Sequence, residues 1–441
     1  MAQNIESKRV YRVDKYSIIV TVCFFLVASY VAFFHHNYWT FDVDGIYYLL
    51  AGQEILSGNE ENVVMLHSPV GGSILFASLN LVFNDGFSVI KAISVLSATG
   101  MVFFSFYIIR NVFDTKTSLL GQLFFALNPW VFLFAIQARN EIFPVFLVMA
   151  ATFFITKKDI KLHDVIIIGC LVGAATEIRY QSAFILVAFV VFLLIRNKKI
   201  RTNLVYAALL VLLFTAAASP ALLYNYFTYG VILDSDPNFE LMVKSKYKPP
   251  NEIIEEFKQK IANDEVTDTY GDPNLFLKNY FYNLFNHNPN KLFNFDTISN
   301  LSPIPTIPFL GLILVFGSLF YLLKIQLDRK NLMVSAGIFF GTLFFVLLFG
   351  DINIHFFALI ILPIIGLTIL NFNKIENNLL PVLVAPAVYL VLISIIPVSK
   401  PEHLLPIWIM IPALSSVFFI QVIPGMISKI TNTYKSPIKE L

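Results

Sequence analysis

Two carboxylates stand two residues apart, Asp42 and Asp44, in the segment TFDVDGIYYLLAGQEIL just after a first apolar run. At that spacing they can share a divalent metal, or one can act as a general base. They can equally cap a helix beside solvent. Behind them Tyr48, Ala51 and Ile55 recur at helical spacing and predict an amphipathic helix. Four further polar clusters interrupt apolar sequence. His67, in LHSPVGG, can orient a substrate or ligate a metal, or be a surface histidine before a proline turn. Arg139 and Glu141, in QARNEI, form an acid–base pair where the chain turns with almost no loop. Glu177 and Arg179, in TEIRYQS, occupy another such turn. An arginine there can grip a lipid phosphate with two parallel N–H groups, or snorkel to the headgroups. Asp351 and His355, in GDINIH, are the fifth cluster.

The elements that must position these residues are membrane helices. Of 441 residues, 57% are hydrophobic and only 14% charged. Soluble domains carry about 25% charged residues. A soluble enzyme, a disordered chain and a disulfide scaffold are thereby excluded. The net charge of +2 implies no nucleic-acid partner. Cys23 and Cys170 both sit in apolar runs, where neither can staple an external loop. The fold class is an all-α polytopic membrane protein with about 12 transmembrane helices, at 16–34, 87–109, 117–136, 141–156, 163–178, 180–195, 203–223, 308–323, 332–349, 354–370, 379–396 and 404–423. Residues 69–83 are too short to span and predict an interfacial helix in the first external loop.

Charge fixes the orientation. With 69–83 kept outside, most of the 31 basic residues fall on one side, in the N-terminus, the short loops near 110–116, 157–161, 196–201 and 324–330, and the tail. Basic loops stay cytoplasmic. Both termini are therefore expected inside the cell membrane, and all five polar clusters on its outer face. Two large outer segments remain, 35–86 and 224–307. The second carries EIIEEFKQKIAN behind a proline start, which predicts a helix. The chain divides into a catalytic membrane module (1–223), an external loop domain (224–307) and C-terminal helices (308–441). No ionisable group falls near the middle of a proposed span, which weighs against an ion-coupled transporter.

These motifs resemble the GT-C superfamily of membrane glycosyltransferases, in its protein-mannosyltransferase and aminoarabinose-transferase branch. The family's acidic motif is matched by Asp44, Tyr48 and Ala51, with Gly45 where a Glu is usual. Its second segment is matched by His67, Pro69 and Gly71, with Ser68 and Val70 departing from it. Asn128, Pro129, Arg139 and Glu141 match the third landmark, and Gly169, Gly173 and Arg179 the fourth. The match covers about residues 16–200. His355 with Pro363 is faintly similar to a late motif.

The resemblance implies inverting sugar transfer from a polyprenyl- or dolichyl-phosphate donor to a protein, lipid or glycan acceptor at the outer face. Asp44 would be the base, with Asp42 and Glu141 also catalytic. Arg179, Tyr48, His67, Arg139, Glu177 and His355 would bind substrate. A divalent metal (Mg, Mn or Zn) could rest on Asp42, Glu141 and His67. The alternative is a flippase of lipid-linked sugars, or a membrane polymerase or ligase.

Overall fold

The computed structural model describes residues 14–35, 43–59, 68–196, 200–229 and 409–428, with scattered single positions between 259 and 392. All regular structure among them is helical. Helix α1 (Lys15–Tyr30) starts on Asp14, whose carboxylate accepts from the Tyr16 and Ser17 amides. It winds into a π-helical turn, Val31–His35. Then come α2 (Val43–Leu56), α3 (Val70–Phe83), α4 (Gly86–Val112), α5 (Thr115–Ala126), α6 (Pro129–Ile136), α7 (Ile142–Ile155), α8 (Leu162–Thr176), α9 (Ala183–Ile195), α10 (Ile200–Tyr229) and α11 (Met410–Val417).

Helix α4 is the axis. It packs against α1, α3, α5, α6 and α7, and is buried along most of its length. A polar clamp ties three helices together on it. The buried Gln122 amide of α5 donates to Ser17 O and Thr21 Oγ1 of α1 and to Val102 O of α4, at 3.1–3.2 Å. Away from water such bonds have no solvent competitor. Helix α8 lies on α10 through two glycines four apart. A Cβ on Gly169 would stand 2.8 Å from Leu213 Cβ, and one on Gly173 would stand 2.5 Å from Ala217 Cβ. Small residues at this spacing let membrane helices approach closely.

Among the described residues three helices are long and apolar enough to cross a membrane: Lys15–His35, Gly86–Val112 and Ile200–Thr228. The expected span 117–136 is instead two helices bent by 53°. Asn128 and Pro129 cause the break. Pro129 has no N–H to continue the ladder of α5, and the Asn128 side chain starts α6 by accepting from the Trp130 and Val131 amides. The expected span 203–223 also runs further, to Tyr229, so the segment expected to start at 224 begins in helix. The expected helices at 308–323, 332–349, 354–370 and 379–396, and the one after Pro250, lie largely outside the described residues.

Residues 69–83 do form a short helix, α3, which lies against α2. At 1.5 Å per residue α3, α7 and α8 are about 21–23 Å long, against about 40 Å for α4. The short α7 and α8 leave space at one end of the bundle, and α2 and α3 fill it.

Gly173→Val should therefore overpack the α8–α10 contact and destabilise the protein by about 1–3 kcal/mol. Thermal unfolding in detergent, followed by size-exclusion fluorescence, measures this; an unchanged midpoint would mean the helices separate freely here.

Candidate active site

Four chain segments converge at the α2–α3 end. The first is α2. Asp44 lies in its first turn, and Gly45 follows. A Cβ on Gly45 would stand 2.0 Å from the carbonyl oxygen of Ala138. Only a glycine lets α2 rest on that turn. Two helical turns on, Gly52 meets the Ser73 carbonyl of α3 in the same way, at 2.0 Å. The second segment is the start of α3. Gly71 faces the Glu177 carbonyl at 2.4 Å and Gly72 faces Ile178 Cγ2 at 3.2 Å.

The third segment is the α6–α7 turn. The bend at Pro129 sends α6 to end at Ile136, and the chain reverses over Gln137–Glu141. The Arg139 amide donates to Gln137 O (3.0 Å), and Ser94 Oγ donates to Arg139 O (3.3 Å). The Arg139 guanidinium covers the Phe134 ring at 4.9 Å. Glu141 caps α7 with helical backbone and makes no side-chain cap bond. Its carboxylate instead meets the fourth segment, the α8–α9 turn. Arg179 Nη1 stands 2.9 Å from Glu141 Oε1, with both side chains largely buried.

Burial alone would raise the Glu141 pKa. The Arg179 guanidinium, helped by Arg139, overrides burial and holds the carboxyl below its usual range. Tyr48 lies over the pair. Its hydroxyl is 2.9 Å from Ser68 Oγ and is hydrogen-bonded by the Asn140 side chain. Burial pushes this phenol up, while Ser68 and Arg179 pull against it.

The sequence paired Glu141 with Arg139. The structure pairs it with Arg179, thirty-eight positions away, and turns Arg139 onto Phe134. Glu177, expected at the headgroups beside Arg179, turns the other way. Its Oε1 accepts from the Ala221 amide at 2.9 Å, just past Pro220 in α10. Burial raises its pKa and the Ala221 N–H partly offsets this. Tyr180 continues that seam through Asn225 Nδ2, 2.5 Å from its hydroxyl. Asp42, His67, Asp351 and His355 lie outside the described residues. Sequence reasoning missed Asn140 and Ser68 as partners of Tyr48. It also missed Lys91 of α4, which is buried and donates to Ala32 O at 2.8 Å. Tyr389, fully buried and within electrostatic reach of Arg179, left no sequence signal.

Among the described residues no three His, Cys, Asp or Glu side chains come together. Of the metal-ligand set, only Glu141 is described. Two guanidiniums already act on it, and they oppose a divalent cation at that carboxylate. The described residues therefore do not fit a metal held through Glu141.

Residues 67–224 match the model of the dolichyl-phosphate-mannose-protein mannosyltransferase family. The resemblance to the GT-C membrane glycosyltransferases holds over that segment. It contains Ser68, Glu141, Glu177 and Arg179, so the ion pair lies inside the matched region. Among solved structures, the chain is similar to the oligosaccharyltransferase AglB from Archaeoglobus fulgidus in complex with an inhibitory peptide and a dolichol-phosphate. The TM-score is 0.45 and the identity 13%, over 96% of this chain and 52% of that one. It is also similar to ArnT from Cupriavidus metallidurans bound to undecaprenyl phosphate, with TM-score 0.39 and 11% identity, over 84% of this chain and 78% of that one. A third likeness is to the Archaeoglobus fulgidus oligosaccharyltransferase in complex with Zn and sulfate, with TM-score 0.36 and 16% identity, over 90% and 53%. The chain spans about half the length of the archaeal oligosaccharyltransferases. Among curated proteins no match is found.

Breaking the pair from one side strands a buried charge. Glu141→Gln or Arg179→Met should each cost about 3–5 kcal/mol, and the double variant should cost less than the sum of the two. Thermal unfolding of the cycle measures this; strict additivity would mean the pair is not coupled. The depressed Glu141 pKa makes its contribution complete above its unfolded value of about 4.5. That contribution is lost as pH falls through the lower folded value. The wild type should thus lose stability below about pH 4.5 more steeply than Glu141→Gln.

Glu177 has the opposite sign. Its raised pKa makes the ionised form a burden that is relieved as pH falls through the folded value. Glu177→Gln, which keeps an acceptor for Ala221, should melt no lower than wild type at neutral pH. Glu177→Ala strands that N–H and should cost about 1–3 kcal/mol.

Proposed function

We propose that this protein is an integral membrane glycosyltransferase that moves a sugar from a polyprenyl-phosphate donor to a protein, lipid or glycan acceptor. The observation that carries the proposal is the buried Glu141–Arg179 pair, which joins two separate turns inside the family-matched segment.

The acceptor hydroxyl or amine attacks the anomeric carbon of the donor. The bond from that carbon to the phosphate oxygen breaks, and its electron pair leaves on the phosphate. Arg179, held in place by Glu141, neutralises that phosphate as charge develops. Asp44, in the first turn of α2, takes the proton from the attacking atom. Single displacement inverts the anomeric centre. Tyr48 and Arg139 line the proposed site, and Asp42, His67 and His355 are assigned to it from the sequence. Glu177 serves the site indirectly, through its hold on α10. No step is routed through a metal.

The reaction faces the outside of the cell membrane, with both termini in the cytoplasm. Supporting this, the loops at the end opposite the ion pair carry Lys157, Lys158, Lys161 and Arg196. The segment from 230 to 307 selects the acceptor.

Asp44→Asn should cut release of free polyprenyl phosphate by about 10²–10⁴-fold while leaving expression and the thermal midpoint unchanged. Radiolabelled donors in proteoliposomes measure this. A wild-type rate in that variant would remove Asp44 from the chemistry. Movement of labelled lipid between leaflets without its cleavage would point to a flippase.

A further inference from the structure

The α6–α7 turn carries a feature that its charges do not explain. Gln137, Asn140 and Glu141 are each more than nine-tenths buried. In each, one acceptor oxygen is closed to solvent and receives no hydrogen bond: Gln137 Oε1, Asn140 Oδ1 and Glu141 Oε2. Buried polar atoms without partners are few in native proteins, because each forfeits its hydration without return. Here three such acceptors fall within five residues.

The rest of the turn holds these oxygens in place. Glu141 Oε1 is taken by Arg179. The Asn140 side chain is engaged with the Tyr48 hydroxyl, and Tyr48 with Ser68. The Pro129 bend and the Ser94 bond to Arg139 O fix the backbone. Three immobile acceptors require a ligand rich in donors. A sugar ring is such a ligand, since every hydroxyl carries one O–H. An ammonium group would also donate, but it needs a carboxylate to balance its charge. The charge of Glu141 is already balanced by Arg179 and Arg139.

We infer that Gln137, Asn140 and Glu141 form a hydroxyl-reading subsite for the donor's sugar, one that selects a neutral ring over an amino sugar. The inference rests on the transferase reading above and narrows its substrate class. Because the oxygens are closed to solvent, the ring must displace the cover that α2 makes over Ala138.

The test is equilibrium binding to the full-length protein in nanodiscs. Three lipids are compared: polyprenyl phosphate, polyprenyl-phosphate mannose, and the same lipid phosphate carrying 4-amino-4-deoxyarabinose. Wild type should bind the mannose lipid about tenfold or more tighter than the bare lipid phosphate, because a site built to bond hydroxyls rejects an analogue without them. The amino sugar should gain less. Gln137→Met keeps the shape without the acceptor; it and Asn140→Leu should erase the mannose increment, and Gln137→Met, which leaves the Tyr48 network intact, should still bind bare lipid phosphate as wild type does. Gln137→Met should melt no lower than wild type without ligand, since it removes an unsatisfied oxygen. An undiminished increment in both variants, no increment in wild type, or tighter binding of the amino sugar would overturn the subsite alone. Failure of wild type to bind any of the three lipids would overturn the transferase reading and the subsite with it.

Discussion

A carboxylate and a guanidinium shut away from water, 2.9 Å apart, organise one end of this membrane protein. Taking either charge alone out of water costs several kcal/mol. Their attraction offsets that cost only while both are held in register. Glu141 and Arg179 lie on different turns, so keeping them in register means keeping the turns together. Such a pair adds little net stability, yet removing one partner is expensive. It therefore acts more as a specification of geometry than as glue. Tyr48, Ser68 and Asn140 complete the polar network above it.

Backbone proximity makes that register possible. Gly45 brings α2 onto the Ala138 carbonyl, and Gly71 brings α3 onto the Glu177 carbonyl. A side chain at either position would push α2 or α3 off the turns. The bend at Asn128 and Pro129 does the complementary work from below, by redirecting α6 so that the turn meets α2. Helix α10 is tied in at Ala221, which donates to Glu177, and at Asn225, which donates to Tyr180, one turn apart just after Pro220. Helix α10, up to Tyr229, is thus bonded directly to the Arg179 turn.

The sequence was informative where one physical signal dominates. Long apolar runs marked α1, α4 and α10, and a shorter one marked α3 as a short helix. The close meeting of short turns was also legible, because Arg139, Glu141, Glu177 and Arg179 had almost no loop to occupy. Their partners were not legible. Residues two apart do not face one another once the chain turns into a helix, so the nearby Arg139 was a poor guide to the mate of Glu141. The break at Pro129 was visible in principle, since proline cannot donate to the ladder, but the apolar run across it read as one span. Gly45 looked like a departure from a motif, because the carbonyl it accommodates is ninety-three positions away. Asn140 and Ser68 matter only through Tyr48, and that is a matter of packing.

The central claim is that the Glu141–Arg179 pair marks where the lipid phosphate binds. An experimental structure of the full-length protein with polyprenyl phosphate tests it most directly. The account predicts the phosphate within about 4 Å of the Arg179 guanidinium, at the end covered by α2 and α3. A phosphate seated instead at the opposite end, among Lys157, Lys158 and Arg196, with Arg179 bound only to Glu141, would contradict it.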